Sequence, residues 1–277
     1  MAMAHMSSAC RICGQTTFDF GRQEVLGQFQ AQYLRCGTCG YVFVDDPHWL
    51  ELAYSNAIAA LDTGIVTRNR WLADATCVLL GLSLRDVRSA LDFGGGSGLL
   101  VRLMRDRGHD FRWLDAYSPN LLARGFEGDT NDRYDLVTAF ELVEHLPDPG
   151  AVFARLHALA PTIIISTELL PPGRHRLDDR WYYAPESGQH IGFFTLAALE
   201  VVAQRLGLRL SSNGRNLHVL AAQPVSRALL RILAKPGRAR CLAWTGTGKS
   251  LARRDAAWLR DTMERGQPRE KGTSQER

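Results

Sequence analysis

Leu91-Asp-Phe-Gly-Gly-Gly-Ser-Gly-Leu-Leu100 decides how this 277-residue chain is read. Before it, Val87 to Leu91 is a short apolar run that leads into the acid Asp92. After it, Leu99 to Arg107 has the spacing of an amphipathic helix. A strand, a glycine-rich turn and a helix in that order form a βα unit that cradles a nucleotide. Glycine lets the backbone reach φ > 0 and lets a ligand lie directly on the main chain. The helix that follows offers free N–H groups and a partial positive charge. A dinucleotide fingerprint needs glycine at its first, third and sixth positions. Counted from Gly94, the third position is Gly96 but the sixth is Leu99, so that fingerprint fails. The pattern present is acid-x-Gly-x-Gly-x-Gly, filled by Asp92, Gly94, Gly96 and Gly98.

Downstream, Phe111-Arg-Trp-Leu-Asp115 reads as a second strand that ends in an acid. Asp115 lies about 20 residues beyond the glycine turn, where a carboxylate accepts both hydroxyls of a bound ribose. Ser118-Pro119 has the chemistry of an N-cap and first turn, so a helix is expected there. Asp135 to Phe140 reads as a buried parallel strand, with Phe140 and Glu141 at the C-terminal end where open α/β sheets bind ligands. Thr162 to Thr167 is a further buried strand, and its end, Glu168 to Leu170, is expected to face the same crevice. Leu208 to Ser212, the Asn213-Gly214 turn and Asn216 to Ala222 read as a hairpin. These features predict an α/β fold whose sheet is mostly parallel and closes with an antiparallel hairpin.

The glycine pattern with Asp115, and the run Tyr134 to Pro149 with its Glu141-x-x-Glu144-His145, resemble the class I S-adenosylmethionine (SAM)-dependent methyltransferases over roughly residues 70 to 222. The resemblance implies a Rossmann-like fold with SAM as cofactor. It places SAM against Asp92, Gly94, Gly96, Gly98, Asp115, Phe140 and Glu141. Some small-RNA and ubiquinone-type O-methyltransferases use a similar acid-x-x-acid-His cluster to hold a divalent metal.

Cys10-Arg-Ile-Cys13-Gly14 and Cys36-Gly-Thr-Cys39-Gly40 are two matching knuckles with 22 residues between them. Two intervening residues let both sulfurs of a knuckle turn toward one ion, and the trailing glycine permits the tight turn. Cys10, Cys13, Cys36 and Cys39 therefore point to a closed, structural zinc site, with a pair of disulfides as the alternative. Residues 1–45 are expected to form a zinc ribbon, 46–85 a helical cover of the cofactor pocket, 86–223 the SAM-binding domain and 224–277 a basic tail. In the cover, helices are expected over Trp49–Leu61 and Arg68–Leu82, with Tyr54 and Arg70 as candidate pocket residues.

An insert, Arg180-Trp-Tyr-Tyr-Ala-Pro-Glu-Ser-Gly-Gln-His-Ile-Gly-Phe-Phe194, packs five aromatic residues toward its two ends around Glu186, Gln189 and His190. It resembles a stretch of zinc-ribbon methyltransferases associated with sugar and polysaccharide biosynthesis. Related sugar C-methyltransferases carry a Glu-His pair in the matching region; here Gln189 precedes the histidine. Methyl transfer needs a group that removes the acceptor's proton, and a histidine that titrates near neutral pH suits that task. His190 is the candidate base, Glu186 and Tyr183 its orienting partners, and His145 the reserve.

Charge is unevenly placed. Residues 221–277 hold 13 Lys or Arg against 5 Asp or Glu, whereas the first 220 hold 20 against 24. The acidic body disfavours a nucleic-acid surface; the basic tail is expected to be solvated and partly helical, or to meet an anionic partner. No apolar run approaches the roughly 20 residues of a membrane span, and the N-terminus lacks a signal-peptide core, so a cytoplasmic protein is expected. Gly246-Thr-Gly-Lys-Ser250 is not a P-loop, because the required first glycine is Ala243. The favoured function is methylation of a small molecule, a sugar nucleotide or glycan. The alternatives are an rRNA base methyltransferase, since one such family also joins a four-ligand zinc module to this fold, and a non-catalytic scaffold.

Overall fold

The computed structural model describes residues 8–55, 62–171, 173, 176–179 and 181–265. Near the N-terminus, strands β1 (Thr17–Val25) and β2 (Phe29–Cys36) form an antiparallel hairpin, and β3 (Val42–Val44) pairs with β2. Two helices follow. α1 (Leu50–Ala53) is a single turn, and α2 (Ile65–Leu82) is long and buried along Trp71–Leu80. The expected helix over Trp49–Leu61 is thus present only as that turn, and residues 56–61 lie outside the described residues.

The glycine stretch folds as the sequence suggests. β4 (Ser89–Phe93) leads through the turn into α3 (Leu99–Asp106), and β5 (Asp110–Leu114) returns parallel to β4. The chain then crosses to the other side of β4 and forms β6 (Leu136–Phe140), α4 (Pro149–Leu159) and β7 (Thr162–Ser166). Ile163, Ile164 and Ile165 are fully buried, as a strand covered on both faces requires. After β8 (Gly192–Phe193) and α5 (Leu196–Arg205), β9 (Arg209–Ser212) and β10 (His218–Ala221) form the terminal hairpin. The six-stranded order is β5-β4-β6-β7-β10-β9, with β10 antiparallel to both neighbours. Chain direction away from β4 reverses between β5 and β6, which opens a crevice above the glycine turn.

The ribbon is stitched to this body. β8 pairs with β3, so the small sheet runs β1-β2-β3-β8. Thr195 bridges the two parts: its hydroxyl donates to the Cys39 carbonyl and accepts the Ala198 amide as the N-cap of α5.

Two expectations are corrected. No helix follows Ser118-Pro119. The segment runs as turns, held where the Leu121 and Leu122 amides donate to the Ser97 carbonyl, and makes one parallel bridge between Trp113 and Glu127. The other correction concerns the basic tail, which through residue 265 is a packed part of the fold. It forms α6 (Arg227–Leu233), α7 (Pro236–Leu242) and α8 (Ala252–Glu264). Leu230, Leu233 and Ala239 are buried against the body, and Trp71 Nε1 donates to the Leu233 carbonyl at 2.7 Å. Gly246 passes so close to α2 that a Cβ there would lie 1.7 Å from the Cys77 carbonyl oxygen.

The two corrections share a cause. α8 occupies the flank beside the irregular segment, with Trp258 against Phe126 and Leu259 against Gly125. Asp255 of α8 is buried and receives a two-pronged contact from Arg105, with both N···O distances 2.8 Å, and a third bond from Arg102. No helix among the described residues is long and apolar enough to cross a membrane.

Removing one partner of such a buried pair leaves the other charge uncompensated. Asp255→Ala is expected to cost about 3–5 kcal/mol of stability. Denaturant unfolding monitored by circular dichroism checks this, and an unchanged midpoint would show that α8 is not bound into the fold.

Candidate active site

One cavity of about 790 Å³ opens at the C-terminal ends of β4, β5 and β6. Its floor is the glycine turn. Gly94, Gly96 and Gly98 all have positive φ (74°, 52° and 84°), which explains why glycine stands at each. They differ in what they face. A Cβ on Gly98 would meet Asn120 and Ala123 at about 3 Å, so that position closes the helix start against the neighbouring segment. A Cβ on Gly96 would meet nothing within 4 Å: here the bare main chain faces open space.

Two carboxylates frame the turn. Asp92 is buried beneath it and accepts a hydrogen bond from Thr138 Oγ1 at 2.7 Å. Burial pushes its pKa up to about 7, and the Thr138 bond only partly offsets this. Asp115 stands at the end of β5 and accepts from the amides of Gly96, Tyr117 and Ser118 at 2.7–2.8 Å. It is thereby fixed in direction and lines the cavity with Phe140 and Glu141. Glu141, at a positive φ of 49°, accepts the Ser166 hydroxyl at 2.6 Å.

Opposite this floor, the insert folds over the cavity. Trp181, Tyr182, Glu186, Gln189 and His190 of the insert are among the residues that line it; Arg180 lies outside the described residues. Tyr182 is fully buried, and its hydroxyl donates to Glu144 Oε1 at 2.7 Å and lies 3.0 Å from Thr167 Oγ1. His190 Nδ1 lies 2.7 Å from the Tyr182 carbonyl, and His145 Nδ1 lies 3.0 Å from the Gln189 carbonyl. A carbonyl oxygen only accepts, so each Nδ1 carries the proton and each Nε2 keeps its lone pair. Burial, reinforced by the neighbouring His190, pushes His145 down to about 3. The two rings sit 4.8 Å apart in an edge-to-face arrangement.

Several sequence expectations shift by a residue or two. Tyr183 does not reach the cavity; it packs against Tyr33 and Phe193 in the ribbon-side core, and Tyr182 takes the inward position. Tyr54 lines the cavity and stacks on Tyr117 at 5.6 Å, whereas Arg70 is exposed and Arg68 lines the wall instead. Arg68 binds Asp62 through two nitrogens, at 2.7 and 3.1 Å, and approaches Glu141 at 3.6 Å. Glu168 pairs with Arg215 away from the cavity lining. Sequence periodicity carried no signal for Arg68, because the face of α2 that meets the cavity is set by where α2 docks.

Two groups have the geometry of metal sites. The sulfurs of Cys10, Cys13, Cys36 and Cys39 all lie within 4.8 Å of one another, with Cys10–Cys39 at 3.6 Å and Cys13–Cys36 at 3.3 Å. A tetrahedral ion with metal–sulfur bonds of about 2.3 Å has sulfur–sulfur edges near 3.8 Å, so the set fits zinc and is too open for disulfides. Gly14 and Gly40 provide the positive-φ turns, and amides of Thr38 and Cys39 point at Cys36 Sγ at 3.4 Å. The second group is Glu144, His145 and His190, whose ligand atoms also converge within 4.8 Å. Glu144 is fully buried, and its Oε2 has no hydrogen-bond partner among the described residues.

For Asp92 the raised pKa has a testable sign. Between about pH 4 and pH 7 the folded chain holds a proton that the unfolded chain has released, so stability falls as pH rises through that window and levels off above it. The loss from this group is on the order of 4 kcal/mol. Asp92→Asn is expected to flatten that part of a melting-temperature-versus-pH curve; an unchanged slope would contradict the assignment.

The chain matches a family model described as a methyltransferase domain over residues 67–213. It is 30% identical over 108 residues to the ubiquinone biosynthesis O-methyltransferase of Aeromonas salmonicida (strain A449), a match that spans 32% of this chain and only 43% of that relative. Among solved structures, the likeness to TnmH has a TM-score of 0.48 at 20% identity, covering 64% of this chain and 62% of that one. The likeness to human N-acetylserotonin methyltransferase in complex with SAM has a TM-score of 0.41 at 16% identity, covering 63% and 65%. The family model covers more than half of the chain, from α2 to the terminal hairpin: the chain belongs to the methyltransferase-domain family.

Proposed function

We propose that this protein is a SAM-dependent methyltransferase that methylates a hydroxyl of a small-molecule acceptor. One observation carries the reading: a bare glycine turn with a directed carboxylate, and a pair of histidines with free Nε2 lone pairs, face each other across one cavity. Gly94 and Gly96 would hold the amino-acid end of SAM, and Asp115 its ribose. SAM, when bound, supplies a methyl group already activated on a sulfonium. The chain's own task is then to hold the acceptor in line, which by itself lowers a barrier by several kcal/mol, and to take its proton.

His190 Nε2 is placed for that proton, since the Tyr182 carbonyl fixes the ring and its tautomer. Glu186 lines the same wall and would orient the acceptor. The resemblance of the insert supports a sugar or glycan as acceptor. The ubiquinone-type relative supports a hydroxyl as the atom methylated. An RNA acceptor is disfavoured by a cavity wall rich in carboxylates.

A second reading is favoured by the buried Glu144 Oε2, which has no partner among the described residues. Glu144, His145 and His190 would hold a divalent cation, with Tyr182, Gln189 and their carbonyls as the outer support that orients each ligand. Such an ion would lower the pKa of an acceptor hydroxyl directly. The four cysteines would hold a structural zinc, in the reducing setting of the cytoplasm.

Calorimetric titration with SAM is expected to show binding that Asp115→Ala weakens at least about tenfold. His190→Ala is expected to leave that affinity within about twofold while turnover falls by roughly 10²–10⁴. Loss of SAM affinity in His190→Ala would place the residue on the cofactor side and remove its role as base. After chelation, restoration of turnover by Mg²⁺ or Mn²⁺ in the wild type but not in Glu144→Gln would favour the cation reading. Indifference to chelation favours His190 as sole base.

Elemental analysis is expected to find one zinc per chain, lost in Cys36→Ser. Because β3 carries β8, that variant should also lower turnover more than SAM affinity. A zinc-free, fully stable wild type would exclude the structural role.

A further inference from the structure

The lining of the cavity has a charge balance that the proposed function does not use. Among the described lining residues, the carboxylates are Glu51, Asp62, Asp92, Asp115, Glu141 and Glu186, and Arg68 is the sole Lys or Arg. Arg68 is already paired: its two terminal nitrogens are held by Asp62 and its Nε lies 3.6 Å from Glu141, so its charge is offset by two carboxylates. Asp92 and Asp115 sit under and beside the glycine turn, on the cofactor side. Glu51 and Glu186 remain on the acceptor side, and neither has an ion-pair partner among the described residues. Both are exposed to solvent at the mouth.

The same mouth carries two aromatic surfaces. Trp181 is 77% exposed yet fixed edge-to-face against the buried Tyr182, and Tyr117, 78% exposed, is stacked on Tyr54. Large aromatic rings left open beside unpaired carboxylates are the chemistry that receives a cation with an apolar body. Among the described lining residues a phosphate or diphosphate would meet the opposite: an excess of like charge, and a sole guanidinium already paired with carboxylates.

Resting on the methyl-transfer reading, we infer that the acceptor enters this cavity without phosphate or another anionic group. A protonated amine on it is favoured, with Glu51 and Glu186 as counter-charges and Trp181 as the apolar wall. Affinity therefore falls in the order cation, neutral molecule, anion. For a sugar-like acceptor this selects a free or amino-bearing sugar over a sugar nucleotide.

Dopamine, catechol and 3,4-dihydroxybenzoate share a pair of ring hydroxyls and differ in net charge at neutral pH. Their binding, with UDP-glucose as the phosphate-bearing probe, is measured on the full chain by quenching of intrinsic tryptophan fluorescence, with and without S-adenosylhomocysteine. Dopamine is expected to bind about tenfold or more tightly than dihydroxybenzoate at low salt. That gap should close in the double variant Glu51→Gln/Glu186→Gln and shrink at about 0.5 M salt. Melting curves establish that the variant is folded.

Equal or tighter binding of dihydroxybenzoate or UDP-glucose overturns the inference. So does a gap that survives in the double variant, or a lack of binding by all four probes. Calorimetry with S-adenosylhomocysteine is read separately. Cofactor binding with the wrong charge order defeats only this inference; absence of cofactor binding defeats the methyl-transfer reading.

Discussion

Two hydrogen bonds at Ile191 hold the molecule's working parts together. Its carbonyl accepts the Val44 amide from the ribbon, and its amide donates to the Glu144 carbonyl of the body, both at 2.9 Å. His190 precedes it and β8 follows it, so the residue beside the candidate base is clamped between β3 of the small sheet and the helical turn Val143–His145 that follows β6. The insert alone could not do this. It is a loop with short helical turns, and loops gain rigidity only from what they are tied to. The ribbon therefore acts as the outer wall that keeps the insert closed on the cavity. The four thiols matter to the site through backbone geometry, without reaching it themselves.

Within the cavity the dominant feature is an excess of buried and half-buried acid. Burial raises the pKa of Asp92, and burial together with neighbouring Glu144 raises that of Glu141, each to about 7. Arg68, Thr138 and Ser166 hold the carboxylates in place without neutralising all of them. A site of this kind stabilises positive charge. That suits a sulfonium donor, and it sets terms for what can enter beside it.

The C-terminal segment shows how a fold compensates for a missing piece. Between β5 and β6 the chain forms turns where a crossover helix would cover the sheet flank. α8 arrives from the far end of the sequence and covers it, pinned by Asp255 to Arg105 and Arg102. The buried pairing is made by the arginines of the body, Arg102 and Arg105 of α3, while the C-terminal segment's own Arg227, Arg231 and Arg238 stay in solvent.

The sequence by itself determined the parts that depend on local geometry. Glycines 94, 96 and 98 permit the positive φ that such a turn needs, and that is a local property, so the turn, its strand and its helix were legible. The two knuckles and the Asn213-Gly214 hairpin were legible for the same reason: spacing and turn chemistry act within a few residues. The buried runs at Leu136–Phe140 and Thr162–Ser166 revealed themselves by lacking polar alternation.

The tertiary structure decided what depends on docking. Tyr182 rather than Tyr183 faces the cavity because the insert is seated by Glu144 and Thr167, which lie far away in sequence. Arg68 rather than Arg70 lines it because the packing of α2 on α3 and α7 sets its rotation. The helix expected at Ser118-Pro119 had good start signals, but a cap adds only about 1 kcal/mol, and α8 already filled the flank. Composition alone made residues 224–265 read as solvated, since Leu230, Leu233 and Ala239 are too few to announce a core. Only their burial against Trp71 and α2, a long-range contact, makes that segment part of the fold.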